Sequence, residues 1–241
     1  MEGLKGRVET LADPTALAQR VAEWMTAEAL AAKDIFRVSL SGGSTPKALF
    51  TLLASDDFLG RFPWRKVAWY WGDERFVPYD HPDSNYGMTR KAMLSRAPVP
   101  PENIHPVPVD GEPEQAAARY EQTLQAAYGA PSLDPARPLF DVTLLGLGPD
   151  GHTASLLPGE PVLEERRRWV APVAHGRPEV RITMTYPAIE SSRHVAFLVS
   201  GGAKAGILRT MRAGGSDVPA ARVRPRGELI WFVDRAAWAE G

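Results

Sequence analysis

Phe36-Arg37-Val38-Ser39-Leu40-Ser41-Gly42-Gly43-Ser44-Thr45-Pro46 reads as a strand, a turn and the start of a helix. Apolar residues alternate over 36–40, as on a pleated strand. Ser41, Gly42 and Gly43 end that pattern, and Pro46 suits the first turn of a helix reaching Leu53. The same order recurs along the chain. A strand at 67–71 runs into Gly72-Asp73-Glu74-Arg75, and one at 140–145 into Gly146-Leu147-Gly148-Pro149-Asp150-Gly151-His152-Thr153-Ala154-Ser155, followed by a short helical turn. A strand at 194–199 runs into Ser200-Gly201-Gly202-Ala203-Lys204 and a helix to about Arg212. Asp13 and Pro14 open the first helix, with Leu17, Val21, Trp24 and Met25 on one face. Asp83 or Ser84 caps a helix reaching about Arg96, and 112–128 is helical. The segments 169–173 and 181–184 read as further strands, 229–233 closes the sheet, and the first sheet strand falls near Phe36. Alternating strands and helices predict a parallel sheet with helices on both faces. Ligands of such sheets bind beyond the carboxyl ends of the strands, where the four polar loops would gather.

The 241 residues, 44% hydrophobic and 24% charged, fit one domain spanning 1–241, with the Pro-rich connection 129–138 as a candidate hinge. A net charge of -1 without a basic block argues against a nucleic-acid surface. The absence of cysteine excludes disulfides, thiolate metal sites and a Cys nucleophile. The first ten residues are polar and mixed in charge, unlike a signal peptide, and no apolar run approaches the ~20 residues of a membrane span. A soluble, cytoplasmic protein without a membrane partner is expected.

The loops carry the chemistry. Asp150 and His152 lie two residues apart on a Gly-rich turn at a strand end, where a rigid sheet positions groups that stay exposed. Gly42, Gly43, Ser44 and Thr45 read as a phosphate cradle or as a plain tight turn, and match neither a Walker loop nor a dinucleotide fingerprint. Ser44-Thr45-Pro46-Lys47 matches Ser-x-x-Lys by chance, since the companion motifs of penicillin-recognising enzymes are missing. The second Ser-Gly-Gly loop adds Lys204, either a solvated lysine or a ligand for an anion, and the unfavourable place of a cation in the first turn of a helix favours the anion. Arg181 opens an otherwise uncharged strand and is either a second phosphate ligand or a surface residue. Asp73, Glu74 and Arg75 fit a polar cleft better than a solvated strand end. His81, His105, His175 and His194 are structural or surface residues, and no spacing makes a metal site. Together these residues point to a small phosphorylated substrate, with His152 as general base or acid and Asp150 or Asp73 orienting it.

The four motifs, in this order and with Asn85-Tyr86 after the Asp-Glu-Arg triplet, resemble the 6-phosphogluconolactonase family over nearly the whole chain. The resemblance implies a doubly wound, mostly parallel α/β sheet shared with glucosamine-6-phosphate deaminase. It implies hydrolysis of 6-phospho-D-glucono-1,5-lactone to 6-phosphogluconate, the second step of the oxidative pentose phosphate pathway, with no metal and no organic cofactor. His152 would activate water and Arg75 or another nearby donor would stabilise the oxyanion, while Ser44, Thr45, Arg181 and Lys204 would clamp the phosphate. A monomer or weak homodimer is expected. The deaminases carry Gly-His-Ile-Ala-Phe-Asn-Glu-Pro where this chain has Gly151-His152-Thr153-Ala154-Ser155-Leu156-Leu157-Pro158. Leu157 cannot relay the protons that ring opening and amine loss require. A sugar-phosphate sensor of the transcription-regulator type would need a helix-turn-helix, for which the segment before Phe36 has no room.

Overall fold

Val67–Trp71 is buried at all five positions, which a strand achieves only where both faces of its sheet are covered. This strand, β3, belongs to a sheet of seven parallel strands in a computed structural model that describes residues 3–214 and 216–239. The others are β1 (Arg7–Leu11), β2 (Phe36–Leu40), β5 (Ile104–His105), β6 (Phe140–Leu145), β9 (Ser192–Val199) and β10 (Glu228–Asp234), in the order β1-β10-β9-β6-β2-β3-β5. From β2 the chain winds outward through β3 to β5. It then returns to β6, on the other flank of β2, and winds the opposite way through β9 and β10. Winding reverses between β2 and β6, so the loops beyond their carboxyl ends diverge and leave a crevice. Trp69, Trp71 and Trp231 are fully buried in the core, with Phe197 stacked on Trp231. Burying such side chains drives folding, at ~25 cal/mol per Å² of apolar surface.

The helices begin where local chemistry predicts. Asp13 accepts from the Ala16 amide and Pro14 opens α1 (Pro14–Ala31). Helix α2 (Ser44–Leu53) starts two residues before the expected Pro46, and its cap, Gly43, sits at φ 105 with no side-chain hydrogen bond. The short α3 (Asp56–Leu59) follows. Ser84, rather than Asp83, caps α4 (Asn85–Thr89), which continues as a π-turn over Arg90–Leu94 and ends short of Arg96. Helix α5 (Pro113–Tyr128) buries Ala117, Tyr120 and Leu124 and stops at left-handed Gly129. No described helix is long and apolar enough to cross a membrane.

Four expectations need correction. The first strand is β1, not Phe36, and it pairs with β10, so 229–233 does not close the sheet. β1 escapes notice because an edge strand needs only half of its residues buried, and Arg7, Glu9 and Thr10 face water or the rim. Asp73–Arg75 is a strand, β4, and not a loop. With β7 (Val170–Val173) and β8 (Arg181–Met184) it forms a separate antiparallel sheet in the order β4-β8-β7. The Asp-Gly-His turn leads into a tight Thr153–Leu156 bridge, and the helical turn comes later, at Pro161–Glu164.

Candidate active site

A cleft of about 210 Å³ opens at the crevice between β2 and β6. Gly42 and Gly43 border it after β2, His152 after β6, and Lys204 after β9, while Asp73, Arg75 and Arg181 enter from the small sheet. Alternation along β4 sorts its three charges. Residues 73 and 75 share one face with Arg181 and Thr183, their direct partners on β8, and Glu74 faces the other way.

Glu74 is fully buried and fully employed. Its carboxylate accepts the amides of Arg75, Asn85 and Tyr86 at 2.7–2.8 Å and the Ser84 hydroxyl at 3.1 Å. Burial pushes its carboxyl above the ordinary range, against those hydrogen bonds. It fastens the start of α4 to β4 and thereby places Asn85, whose Nδ2 donates to the Asp73 carbonyl at 2.9 Å. Gly42 is required here by space, since a Cβ would lie 1.9 Å from Asn85 Oδ1.

Asp150 holds His152. Nδ1 of the imidazole stands 2.5 Å from Asp150 Oδ1, and Arg177 Nη2 donates to Asp150 Oδ2 at 2.7 Å. Burial alone would raise the Asp150 carboxyl, but the Arg177 and His152 hydrogen bonds outweigh it and hold the group well below the usual carboxylate range. An ionised Asp150 makes Nδ1 the donor and leaves Nε2 as the ring's free basic nitrogen. Gly148 makes room for this arrangement: a Cβ there would fall 2.0 Å from His152 Nδ1. Asp73 does not touch His152. Its Oδ2 accepts from Ser155 Oγ at 2.7 Å, which ties the Asp-Gly-His turn to the small sheet.

The cations are short of partners. Arg181 is 8% exposed, its Nε has no hydrogen-bond partner, and its nearest carboxylate, Glu179, is 3.8 Å away. Burial lowers its pKa, and the Arg75 charge opposite lowers it further. Arg75 Nε is also buried without a partner. The first turn of α2 has no side-chain cap, so its amides remain available. Thr45 and Ser44 are not among the cleft-lining residues; the Thr45 hydroxyl bonds Ser200 Oγ at 2.7 Å and joins the two Ser-Gly-Gly loops. Gly201 N–H is committed to the fully buried Asp234, so the second loop offers the cleft Lys204 rather than that amide. Sequence reasoning missed Arg177, Ser155 and Asp234. Alternation could have separated Glu74 from its neighbours, but no local pattern marks the other three.

Residues 12–231 match the sequence profile of the family described as "Glucosamine-6-phosphate isomerases/6-phosphogluconolactonase". A 6-phosphogluconolactonase of Nostoc sp. is 42% identical over 245 residues, covering 98% of this chain and 99% of that protein. The solved structure of "6-phosphogluconolactonase from Trypanosoma cruzi" superposes with a TM-score of 0.84 at 28% identity, covering 98% of this chain and 97% of that one. A monomeric glucosamine-6-phosphate deaminase shares the fold, with a TM-score of 0.80 at 21% identity over 96% of this chain and 98% of that one.

Proposed function

Because this chain belongs to the glucosamine-6-phosphate isomerase/6-phosphogluconolactonase family, we propose that it hydrolyses 6-phospho-D-glucono-1,5-lactone to 6-phosphogluconate. The observation that carries the reading is the ionised Asp150 on Nδ1 of His152, which turns Nε2 into a base beside a cleft lined by Arg75, Arg181 and Lys204. Nε2 takes a proton from water as the water oxygen bonds the lactone carbonyl carbon. Positioned proton transfer of this kind contributes ~10²–10⁴-fold in rate. Arg75, or another donor nearby, stabilises the oxyanion of the tetrahedral intermediate. Collapse breaks the bond to the ring oxygen, which leaves as a hydroxyl with the proton His152 had taken. The carboxylic acid product then ionises and releases one proton to solvent. Arg181, Lys204, the Gly42-Gly43 backbone and the uncapped amides of Ser44 and Thr45 at the start of α2 hold the 6-phosphate, and that remote binding energy aligns the carbonyl. A cytoplasmic location within the oxidative pentose phosphate pathway, and a monomer or weak homodimer, belong to the same proposal.

Leu157 separates this reading from the deaminase. It is 1% exposed and apolar, so no carboxylate at that position can relay protons for ring opening. Proton release on adding freshly made lactone, with spontaneous hydrolysis subtracted, tests the proposal. Rapid release is expected, together with a loss of at least ~10²-fold for folded His152→Gln and no ammonia from glucosamine 6-phosphate. Ammonia formation at a comparable rate, or a His152→Gln variant that keeps more than about a tenth of the activity, would overturn it.

A further inference from the structure

Arg177 lies outside every motif, in the loop 174–180 between β7 and β8, yet its guanidinium reaches the proposed base. Nη2 donates to Asp150 Oδ2 at 2.7 Å and stands 3.3 Å from His152 Nδ1, while Nη1 donates to the Gly176 carbonyl at 2.7 Å. The loop is seated on buried Leu157, whose Cδ1 would be 3.1 Å from a Cβ placed on Gly176. A guanidinium anchored to its own loop and to Asp150 does two things. It occupies the second carboxylate oxygen, so Asp150 is fixed with Oδ1 on the ring. It also puts a positive charge beside Nδ1, opposing formation of the imidazolium. Arg75, Arg181 and Lys204 across the cleft act in the same direction, and Asp150 and Asp73 act against it.

We infer that Arg177 is a positioning residue for His152: acting through Asp150 it fixes the tautomer with Nε2 free, and its charge beside Nδ1 opposes protonation of the ring. This rests on reading His152 as the base. Removing the cation leaves Asp150 to stabilise the imidazolium alone, so the ring becomes more basic and the acid limb of the rate profile moves to higher pH.

The test is an NMR titration of the His152 ring, its signal identified by its loss in His152→Gln, alongside the pH profile of kcat/KM for the lactone. Arg177→Gln is expected to raise both the ring titration and the acid limb by about one unit, costing roughly tenfold on the acid side and less above it. Arg177→Lys retains a charge and is expected to stay close to the wild type in both. Unchanged titration in Arg177→Gln, or equal shifts in Arg177→Gln and Arg177→Lys, would overturn the inference. Full activity in His152→Gln would instead overturn the base assignment, and the ring titration would still report whether Arg177 sets its basicity.

Discussion

Arg181 sits directly across a strand pair from Arg75, an arrangement of like charges that destabilises a sheet. Its guanidinium is also buried with Nε unpartnered, a desolvation cost of about 1–3 kcal/mol by comparison with other orphaned polar groups. A fold keeps such a residue when an anion supplies the missing acceptor. Stability and binding should therefore move in opposite directions in Arg181→Met. The free protein is expected to gain about 1 kcal/mol in urea unfolding, and KM for the lactone to rise by about one to two decades. Loss of stability with an unchanged KM would show that Arg181 is a structural strand-end residue instead.

Strand β4 shows how an element outranks the residues it carries. Read as a loop, Asp73-Glu74-Arg75 is three equivalent charges; as a strand it sends two side chains to the cleft and one to the interior. Glu74 then works as a clasp between β4 and the amino end of α4, receiving three backbone amides and a hydroxyl. Glu74→Gln replaces one accepting oxygen by an amide nitrogen that can only donate. The change should cost about 1–3 kcal/mol in denaturant unfolding. It should also lower kcat by displacing Asn85 and Asp73, which touch each other and, through Ser155, the Asp-Gly-His turn. An unchanged unfolding midpoint would mean that the clasp is not needed. The alternation that sorts these residues was open to sequence reasoning, but the triplet follows an aromatic strand so closely that it reads as that strand's end.

At the scale of the whole molecule, two sheets and three loops bring cations together from β4, β8 and the turn after β9. An anion bound there should stabilise the fold. At a concentration about 100 times its Kd, 6-phosphogluconate or inorganic phosphate adds ~2.7 kcal/mol, or roughly 5–10 °C in Tm for a chain of this size. Lys204→Ala should lose most of that shift; a full shift in the variant would place the anion elsewhere. The sequence by itself determined the strand-turn-helix alternation, the sheet it builds and the placing of Asp150 and His152 on one turn, while the structure chose Asp150 over Asp73 as the partner of His152. Those features depend on hydrophobic period, on turn residues and on groups two residues apart, all of which are local. Only the tertiary structure decided the rest. β1 lies at the sheet edge, where pairing of Arg7 with Ile230 supplies the order that its own half-polar sequence does not. The Ser155–Asp73 tie and the reach of Arg177 to His152 join residues 82 and 25 positions apart, and the small antiparallel sheet pairs Asp73 with Thr183 from still farther along the chain. Contacts over such separations depend on how the layers pack, and a polar side chain that finds its partner only there has no periodic signature along the chain.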